Sequence, residues 1–226
     1  MKNAQNLQIE LSDVYFRYED TPALNGISLQ IFEGETVGLK GDNGSGKSTL
    51  LRLLNGLVYP DSGKYMLDGK EINSDSMRDT LFARALHTKI GYVFQNSDTQ
   101  LFCGSVREEV EFGPRQMGLS DEEVEKRAGD VIRMLDLEKI ENRPPYHLSG
   151  GEKKKTALAA VLSMNPDILM LDEPMNGLDK KTVEWLTGFM SLWKEAGKTL
   201  IVATHDENLL YGIADKVIEL HEGKII

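Results

Sequence analysis

Apolar and polar residues alternate in three stretches near the start of the chain, at residues 7–11, 14–18 and 27–31. A period of two predicts strands that bury one face and leave the other in water. Two further short strands, 64–67 and 71–72, flank an Asp-Gly turn of the kind that closes hairpins. The pattern therefore predicts an antiparallel β-layer in the first third of the chain.

Continuous apolar runs mark a second set of strands, because a strand covered on both faces has no solvent-facing positions. These runs occupy residues 90–94, 167–171 and 200–203, and a shorter β-prone stretch occupies 36–40. Apolar residues at helical spacing separate some of them, as at 181–196. Strands separated by helices predict a mostly parallel sheet, so the expected fold class is α/β.

Between residues 96 and 160 the pattern becomes mostly helical. A short helix over 106–112 is expected to be interrupted at Pro114, because proline cannot donate the hydrogen bond that continues a helix. Ser120 and Glu123 predict a capping box that opens a second helix. The apolar residues of that helix fall on one face: Val124, Ala128, Val131, Ile132 and Leu135.

We predict a single domain over residues 1–226, built from two parts. Residues 1–95 and 161–226 form the α/β core with its antiparallel β subdomain. Residues 96–160 form a helical subdomain inserted into that core. A chain of 226 residues is long enough to bury a substantial core.

The composition, with 40% hydrophobic and 27% charged residues, is ordinary for a globular protein. A net charge of −10 argues against non-specific nucleic-acid binding, which needs a basic face. No run approaches ~18 consecutive apolar residues, the length of a membrane span. Residues 1–13 lack the apolar core of a signal peptide, and the single cysteine, Cys103, fits a reducing compartment. We therefore expect a cytoplasmic protein without a nucleic-acid partner.

The segment 41–49 fits the phosphate-binding pattern G-x-x-x-x-G-K-[ST] between a predicted strand and a predicted helix, the arrangement of P-loop NTPases. Its glycines let successive N–H groups turn toward an anion, and the helix adds the positive end of its dipole. Lys47 brings a charge to the β- and γ-phosphates, and the Ser48 hydroxyl can ligate Mg²⁺. The residues predicted to bind the nucleoside triphosphate are Gly41, Asn43, Gly44, Ser45, Gly46, Lys47, Ser48 and Thr49.

Polar residues also follow the other predicted parallel strands where each strand ends, which is where open α/β sheets bind ligands. They are Gln95, Asp172, Glu173 and His205. Asp172 is placed to hold Mg²⁺, and Glu173 can polarise a water for attack on the γ-phosphate. Gln95 can touch the ion and the attacking water, and His205 can hydrogen-bond to the γ-phosphate. Each residue considered alone has a plainer explanation, such as an acidic turn or a capped histidine.

Ser149, Gly150 and Gly151 stand before another predicted helix and offer N–H groups and a hydroxyl to an anion. The alternative is a simple N-cap followed by two glycines. Because the chain already has a phosphate loop, a second anion site suggests use by a neighbouring chain.

The chain resembles the ATPases of ATP-binding cassette (ABC) transporters over essentially its whole length. The matching stretches, in order, are 41–49, Gln95, 148–151, 168–173, 177–179 and His205. The resemblance implies an ATPase that uses ATP and Mg²⁺ in a head-to-tail dimer with a second, identical or related ATPase protomer. Each ATP would lie between the phosphate loop of one protomer and the signature stretch 148–151 of the other.

The resemblance also implies roles for single residues. Ser149, Gly150 and Gly151 would contact the γ-phosphate held by the partner protomer. Tyr18 matches the aromatic residue that stacks on adenine, with Tyr15 and Phe16 as alternatives and a plain strand aromatic as the other explanation. Asp179 matches the acidic residue that couples the two sites across the interface.

Two stretches, 93–102 and 109–114, are similar to the ATPases of energy-coupling-factor transporters and of cobalt or nickel importers. In such importers this face meets an integral membrane subunit, which implies docking on residues 96–114 and a location on the inner face of the cell membrane. An apolar core of the helical lobe is the alternative. Many members of the group carry a C-terminal extension that assists dimerisation. The sequence ends at Ile226, so we expect dimerisation to depend more on ATP or on the membrane partner.

The predicted function is ATP hydrolysis that powers an importer of a metal ion or a vitamin. A soluble cassette ATPase that moves a cytoplasmic partner would carry the same motifs. A GTPase is disfavoured because an Asn-Lys-x-Asp motif is absent, and a small-molecule kinase has no use for residues 148–151. Three residues depart from the usual family pattern: Lys40, Glu152 and Asn176.

Overall fold

The computed structural model describes residues 6–226. Residues 1–5, which begin the predicted 1–95 segment and the 1–13 stretch compared with signal peptides, lie outside the described residues. With strands numbered in chain order, an antiparallel sheet contains β1 (Leu7–Tyr18), β2 (Thr21–Phe32), β4 (Ser62–Leu67) and β5 (Lys70–Glu71). Their order is β2-β1-β4-β5. The alternating stretches of the sequence therefore form the predicted antiparallel layer.

A second sheet contains β3 (Thr36–Lys40), β6 (Ile90–Val93), β7 (Ile168–Asp172), β8 (Thr199–Ala203), β9 (Lys216–His221) and β10 (Lys224–Ile225). The strand order is β10-β9-β3-β8-β7-β6. All neighbours are parallel except β10, which forms an antiparallel hairpin with β9. The four strands that lead into predicted functional residues, β3, β8, β7 and β6, are thus adjacent.

The α-helices are α1 (Lys47–Leu54), α2 (Thr80–Lys89), α3 (Val106–Gln116), α4 (Asp121–Met134), α5 (Gly150–Leu162), α6 (Lys180–Glu195) and α7 (Glu207–Ile213). Helices α3, α4 and α5 contact one another and form a helical lobe. The predicted apolar face of α4 is buried. Among the described helices, none combines the length and apolar character that a membrane crossing requires.

Apolar clusters cover both faces of the parallel sheet. In β7, Ile168 and Met170 join a cluster with the antiparallel sheet and α1, whereas Leu169 and Leu171 join a cluster with α3 to α6. Strand β8 divides its side chains in the same way. Burial on both faces explains why these strands read as continuous apolar runs.

Helix α3 contradicts the predicted interruption at Pro114, because it continues to Gln116. Proline removes one backbone donor, but Pro114 is buried in the lobe, and packing there outweighs the loss. Arg115 reinforces the last turn by pairing at 2.8 Å with both Glu111 and Asp121. The Pro114 ring is therefore accommodated inside the helix.

Helix α2 was not predicted from the sequence. Asp79 caps it by accepting hydrogen bonds from the N–H groups of Leu81 and Phe82. Leu86 is the one residue of this helix that is buried. The sequence therefore has almost no apolar residues repeating at helical spacing, which is the signal that predicts a helix.

Candidate functional site

The phosphate loop is the first part of the candidate site, and it connects β3 to α1. A Cβ atom at Gly41 would lie 2.3 Å from the carbonyl oxygen of Leu220, and one at Gly46 would lie 2.8 Å from that of Ala23. Both glycines have positive φ, so the loop tolerates no side chain at either position. Helix α1 starts without a side-chain cap, which leaves its N-terminus suited to an anion.

Lys47 lies buried within the curl of this loop, with 6% of its side chain exposed. Its Nζ donates to the carbonyl oxygens of Gly41 at 2.6 Å and Asp42 at 3.1 Å. The same ammonium lies 3.6 Å from Oε1 of Glu173. The structure thus joins the phosphate loop to the end of β7 through one cation.

Glu173 is held in place by the end of the neighbouring strand β8. Its Oε2 accepts a hydrogen bond from Thr204 Oγ1 at 3.0 Å and lies 3.0 Å from Nδ1 of His205. The residue has φ +41°, a left-handed conformation that costs a non-glycine residue about 1–2 kcal/mol. Strain of this kind persists only where the surroundings impose it. Here the hydrogen bonds and the ion pair do so.

Asp172, one residue earlier, is buried beneath the strand ends. Its Oδ2 accepts a hydrogen bond from the Tyr92 hydroxyl at 3.1 Å. Its Oδ1 is buried without a hydrogen-bond partner among the described residues. A buried carboxylate oxygen without a partner fits a hard cation such as Mg²⁺, which prefers oxygen ligands. In the described part of the chain, no group of three or more acidic, histidine or cysteine side chains could hold a metal by itself.

Tyr92 is a site residue that sequence reasoning missed. Burial is the main reason that the pKa of its hydroxyl is raised, and the Asp172 carboxylate raises this pKa further. The hydroxyl therefore stays protonated and donates to Asp172. Its position on β6, paired with β7, could have suggested this contact only after the strand order was known.

Gln95 follows β6 on the same sheet edge, and it is exposed. Gln100 holds the backbone before it with two hydrogen bonds. Gln100 Oε1 accepts from Phe94 N at 3.1 Å, and Gln100 Nε2 donates to Tyr92 O at 3.3 Å. On another side, Lys154 Nζ donates to the carbonyl oxygens of Phe94 and Gln95, both at 3.1 Å. The path of the chain into Gln95 is therefore set by two side chains.

The stretch Ser149, Gly150 and Gly151 opens α5 with a reciprocal capping box. Ser149 Oγ accepts from Glu152 N at 3.3 Å, and Glu152 Oε2 accepts from Ser149 N and Oγ, both at 2.8 Å. These hydrogen bonds lower the pKa of the Glu152 carboxyl. The structure thus shows the N-cap that was the plainer alternative. Because Ser149 and Gly150 remain exposed, an N-cap does not conflict with contact to a second molecule.

Asp179 caps α6 beside this stretch, in the same chain. It accepts hydrogen bonds from Thr182 N at 3.0 Å and Thr182 Oγ1 at 2.8 Å, and these lower the pKa of its carboxyl. A Cβ atom at Gly151 would lie 2.8 Å from Thr182 Oγ1 and 3.6 Å from Asp179 Oδ2. Ser149, Gly151 and Asp179 line one groove, and none of its lining residues belongs to the phosphate loop. The two predicted anion sites are thus separate surfaces of the described chain.

Tyr18 lies at the end of β1, half exposed, with its ring edge-on to Phe16 at 4.9 Å. Its hydroxyl accepts a hydrogen bond from Arg52 on α1 at 3.3 Å. Tyr15 is exposed to a similar degree, but its hydroxyl lies against Gly26, whereas Tyr18 has the hydrogen bond to Arg52. The structure therefore places Tyr18, rather than Tyr15, beside the helix that follows the phosphate loop.

Two of the three departures from the usual pattern acquire local explanations. Lys40 forms ion pairs with Glu207 at 2.9 Å and Glu219 at 3.5 Å, which join the end of β3 to α7 and β9. Glu152 completes the capping box. Nothing in the structure explains Asn176.

An apolar groove of about 370 Å³ lies between α2 and α3, and Gln100, which holds the backbone before Gln95, is one of the residues that line it. Phe102, 68% exposed, meets Phe112 edge-on at 4.9 Å on its rim. Buried Glu109 accepts hydrogen bonds from the N–H groups of Phe102 and Cys103, which fixes the loop that presents Phe102. The predicted docking segment 96–114 therefore supplies one side of the groove, and the unpredicted helix α2 supplies the other.

Comparisons with known proteins point to one family. The family model described as ABC transporter matches residues 24–176. The nickel import ATP-binding protein LarO of Lactiplantibacillus plantarum is 45% identical, with 93% of this chain and 87% of that protein aligned. The energy-coupling factor transporter ATP-binding protein EcfA of Methanocaldococcus jannaschii is 42% identical, over 96% of this chain and 77% of that protein. An ATP-binding cassette solved as a dimer with ADP and phosphate has a TM-score of 0.86 at 32% identity, covering 96% of both chains.

Proposed function

The chain belongs to the ABC transporter family as an ATP-hydrolysing cassette, and from that premise we propose that it powers an importer of the energy-coupling-factor type for nickel, cobalt or a vitamin. One observation carries the proposal: Lys47, Glu173 and His205 meet at the ends of three adjacent parallel strands. The names of the nickel import and energy-coupling-factor relatives support the importer class.

ATP binding begins at Lys47. Its ammonium contacts two neutral carbonyls and the Glu173 carboxylate. Triphosphate oxygens carry more negative charge than carbonyl oxygens, and charge-assisted hydrogen bonds are roughly twice as strong as neutral ones. The β- and γ-phosphates therefore draw Lys47 toward themselves, and the loop N–H groups and the α1 dipole add to the attraction. Tyr18 stacks on adenine beside α1.

The strand ends also offer a set of oxygen donors that fits Mg²⁺. Ser48, Gln95 and Asp172 would hold the ion together with phosphate oxygens, and Asp172 would use its unpartnered Oδ1. When bound, the ion supplies positive charge that offsets the charge of the phosphates. Tyr92 keeps the other oxygen of Asp172 occupied and so fixes the orientation of the carboxylate.

Glu173 acts as the general base. When Lys47 moves toward phosphate, Oε1 of Glu173 loses its cation and becomes an acceptor for a water proton. Thr204 and His205 still hold Oε2, so the carboxylate keeps its position. The water oxygen attacks the γ-phosphorus, its proton passes to Glu173, and the bond to ADP breaks. His205, held against Glu173 through Nδ1, can hydrogen-bond to the γ-phosphate through its other ring nitrogen.

The second half of the site comes from another protomer. Ser149 and Gly150 are exposed and Gly151 is half-buried, on a surface that the phosphate loop does not share, and Asp179 lies beside them. A head-to-tail dimer brings this surface onto the γ-phosphate of the partner, as the dimeric structural relative supports. ATP then joins two chains, and hydrolysis separates them.

The groove between α2 and α3 receives a short helix of the integral membrane subunit. Its apolar lining and the exposed ring of Phe102 fit the apolar face of such a helix. Gln100 lines this groove and holds the backbone before Gln95, which gives the membrane subunit a connection to the nucleotide site. Attachment to that subunit places the chain on the inner face of the cell membrane.

Substitution Glu173→Gln tests the assignment of the base. Glutamine keeps the shape and can still accept from Thr204, but it cannot take a proton. We expect ATP binding to be retained and the hydrolysis rate to fall roughly 10²–10⁴-fold, the usual contribution of a general base. A phosphate-release assay and size-exclusion chromatography with ATP would show the loss of turnover and an accumulated dimer.

Glu19→Gln is the matched control, because Glu19 also has a left-handed backbone, with φ +52° compared with +41° for Glu173. It lies in the turn between β1 and β2 of the antiparallel sheet and not at the end of a parallel strand. Its hydrolysis rate should equal that of the unmodified chain. Wild-type turnover by Glu173→Gln would contradict the proposed role.

A further inference from the structure

Three consecutive lysines lie on the first turns of α5, directly after the signature stretch, and they have different surroundings. Lys153 pairs with Asp98 at 2.6 Å, and 21% of its side chain is exposed. Lys155 donates to Leu135 O at 3.1 Å and lies 4.5 Å from the centre of the Trp185 ring. Lys154 alone of the three is fully buried and reaches the edge of the parallel sheet.

The environment of Lys154 is unusual for an ammonium group. Burying a charge is costly unless hydrogen bonds and opposite charges compensate for the lost water. Burial lowers the pKa of Lys154 to about 8, and the nearby Asp172 carboxylate opposes that shift. Two carbonyls, of Phe94 and Gln95, accept from the same Nζ, both at 3.1 Å. A neutral side chain would fill this space without such a cost, which suggests that the contacts have a function.

Those two carbonyls belong to the residues where the chain leaves β6. Two successive carbonyls that face one cation restrict the backbone torsions between them, and these torsions set the direction of the Gln95 side chain. Gln100 also holds this backbone through hydrogen bonds with Phe94 N and Tyr92 O. Lys154 in turn lies on the helix that begins with Ser149. One side chain therefore links the signature helix to the position of Gln95.

We propose that Lys154 is a positioning residue that couples α5 to Gln95, so that contact of the signature stretch with a partner protomer helps to place Gln95 for hydrolysis. This inference rests on the proposed role of Gln95 at the nucleotide. Lys154 need not touch ATP. It acts through the backbone of Phe94 and Gln95.

The test compares Lys154→Met with Lys198→Met in the full chain, at protein concentrations that allow dimers. Misplacement of a positioned group by about 1 Å can lower a reaction rate by up to 10²-fold. We therefore expect kcat of Lys154→Met to fall about tenfold. KM for ATP should change less than about threefold, because Lys154 acts on Gln95 and not on ATP binding. Lys198→Met removes another partly buried lysine that donates to a backbone carbonyl, that of Pro166, and should change kcat by less than about twofold because Lys198 precedes β8, at the opposite end of the strand from His205. Lys154→Arg keeps the charge and donors and should recover most of the rate.

A double-mutant comparison separates positioning from simple loss of packing. If Lys154 acts through Gln95, Gln95→Ala with Lys154→Met should be no slower than Gln95→Ala alone. The inference is wrong if the rate losses of Lys154→Met and Gln95→Ala multiply in the double mutant. It is also wrong if Lys154→Met has wild-type kcat while Gln95→Ala is impaired. Wild-type kcat for Gln95→Ala would instead overturn the proposed role of Gln95. Should Lys154→Met fail to fold by thermal melting, Lys154→Leu replaces it with the same expected outcomes, because leucine also lacks a donor for the two carbonyls.

Discussion

Glu152 illustrates how one side chain meets a local requirement at the start of α5. Its carboxylate accepts from both N and Oγ of Ser149 at 2.8 Å, and it suits the positive end of the helix dipole. A glutamine could make the same hydrogen bonds without the charge. The carboxylate therefore stabilises the capping box more strongly than an amide would, at a position where the family usually has glutamine.

Glu152→Gln should make the contribution of this cap independent of pH. The hydrogen bonds lower the folded-state pKa below the ordinary value of 4.5, so the charge stabilises the fold above pH 4.5. That stabilisation is lost as the pH falls through the lowered pKa. Near pH 7 the variant should be less stable by roughly 0.5 kcal/mol, at the low end of cap effects. Urea unfolding of both chains between pH 7 and pH 3 would measure the difference.

The difference in the free energy of unfolding between the two chains should shrink toward zero as the pH falls below 4.5. Glu122→Gln is the control, because Glu122 is exposed on the first turn of α4 and has no capping partner. A constant difference for Glu152→Gln across the pH range would show that the charge does not stabilise the cap.

Helices α2 and α3 show how elements combine to build a surface that neither has alone. Glu109, buried in α3, binds the backbone of Phe102 and Cys103 and so holds the loop against the helix. A Cβ atom at Gly113 would lie 2.6 Å from the side chain of Met164, which follows α5, so the glycine leaves room for this side chain against α3. The groove depends on these contacts.

Phe102→Ser should abolish assembly with the membrane subunit while leaving ATP binding intact. The ring is 68% exposed, so its loss removes apolar docking surface with little effect on the core. Co-purification from detergent-solubilised membranes would measure assembly, and nucleotide titration would measure ATP binding.

Tyr211→Ser is the matched control at the same scale. Tyr211 is an aromatic residue of similar exposure, 66%, on α7 and outside the groove. Its variant should assemble as the unmodified chain does. If Phe102→Ser also assembles normally, the groove is not the docking site.

At the scale of the whole molecule, the proposed nucleotide site is divided between two surfaces of the chain. Lys47 and Glu173 lie at the ends of the parallel strands, whereas Ser149 and Asp179 lie at the starts of helices α5 and α6. A composite site therefore requires two chains, and the arrangement can be tested by placing defects on the same chain or on different chains.

A dimer of one Lys47→Ala chain and one Ser149→Arg chain should hydrolyse ATP. In a head-to-tail dimer it has one site with an intact phosphate loop and an intact signature stretch, from different chains. A dimer of an unmodified chain and a chain with both substitutions contains the same changes but has no intact site. Differently tagged chains, co-expressed and purified through both tags, would allow ATPase rates to be compared.

The opposite ranking of these two dimers would contradict the shared site. If each chain used its own signature stretch, the unmodified chain in the second dimer would keep a complete site. The two dimers carry identical substitutions, so differences in expression or folding do not explain a difference in rate.

Much of the molecule follows from local physics that the sequence by itself determines. Alternating apolar positions specify the antiparallel strands, continuous apolar runs specify β7 and β8, and the glycines and Lys47 specify the phosphate loop. Because parallel strands end at one edge, the sequence also places Asp172, Glu173 and His205 on that edge. These inferences need only neighbouring residues and the periods of helix and strand.

The tertiary structure alone decided the contacts that arise when distant segments meet. The order β3-β8-β7-β6 cannot be derived from periodicity, and it sets Tyr92 against Asp172 and Thr204 against Glu173. Helix α2 and the passage of α3 through Pro114 depend on packing that outweighs a weak period and a missing donor. In the sequence Lys154 is one of three similar lysines, and only the fold buries it against Phe94 and Gln95, which follow β6. The physical reason is that burial and hydrogen-bond partners belong to the folded arrangement, whereas a sequence specifies directly only local conformational preference.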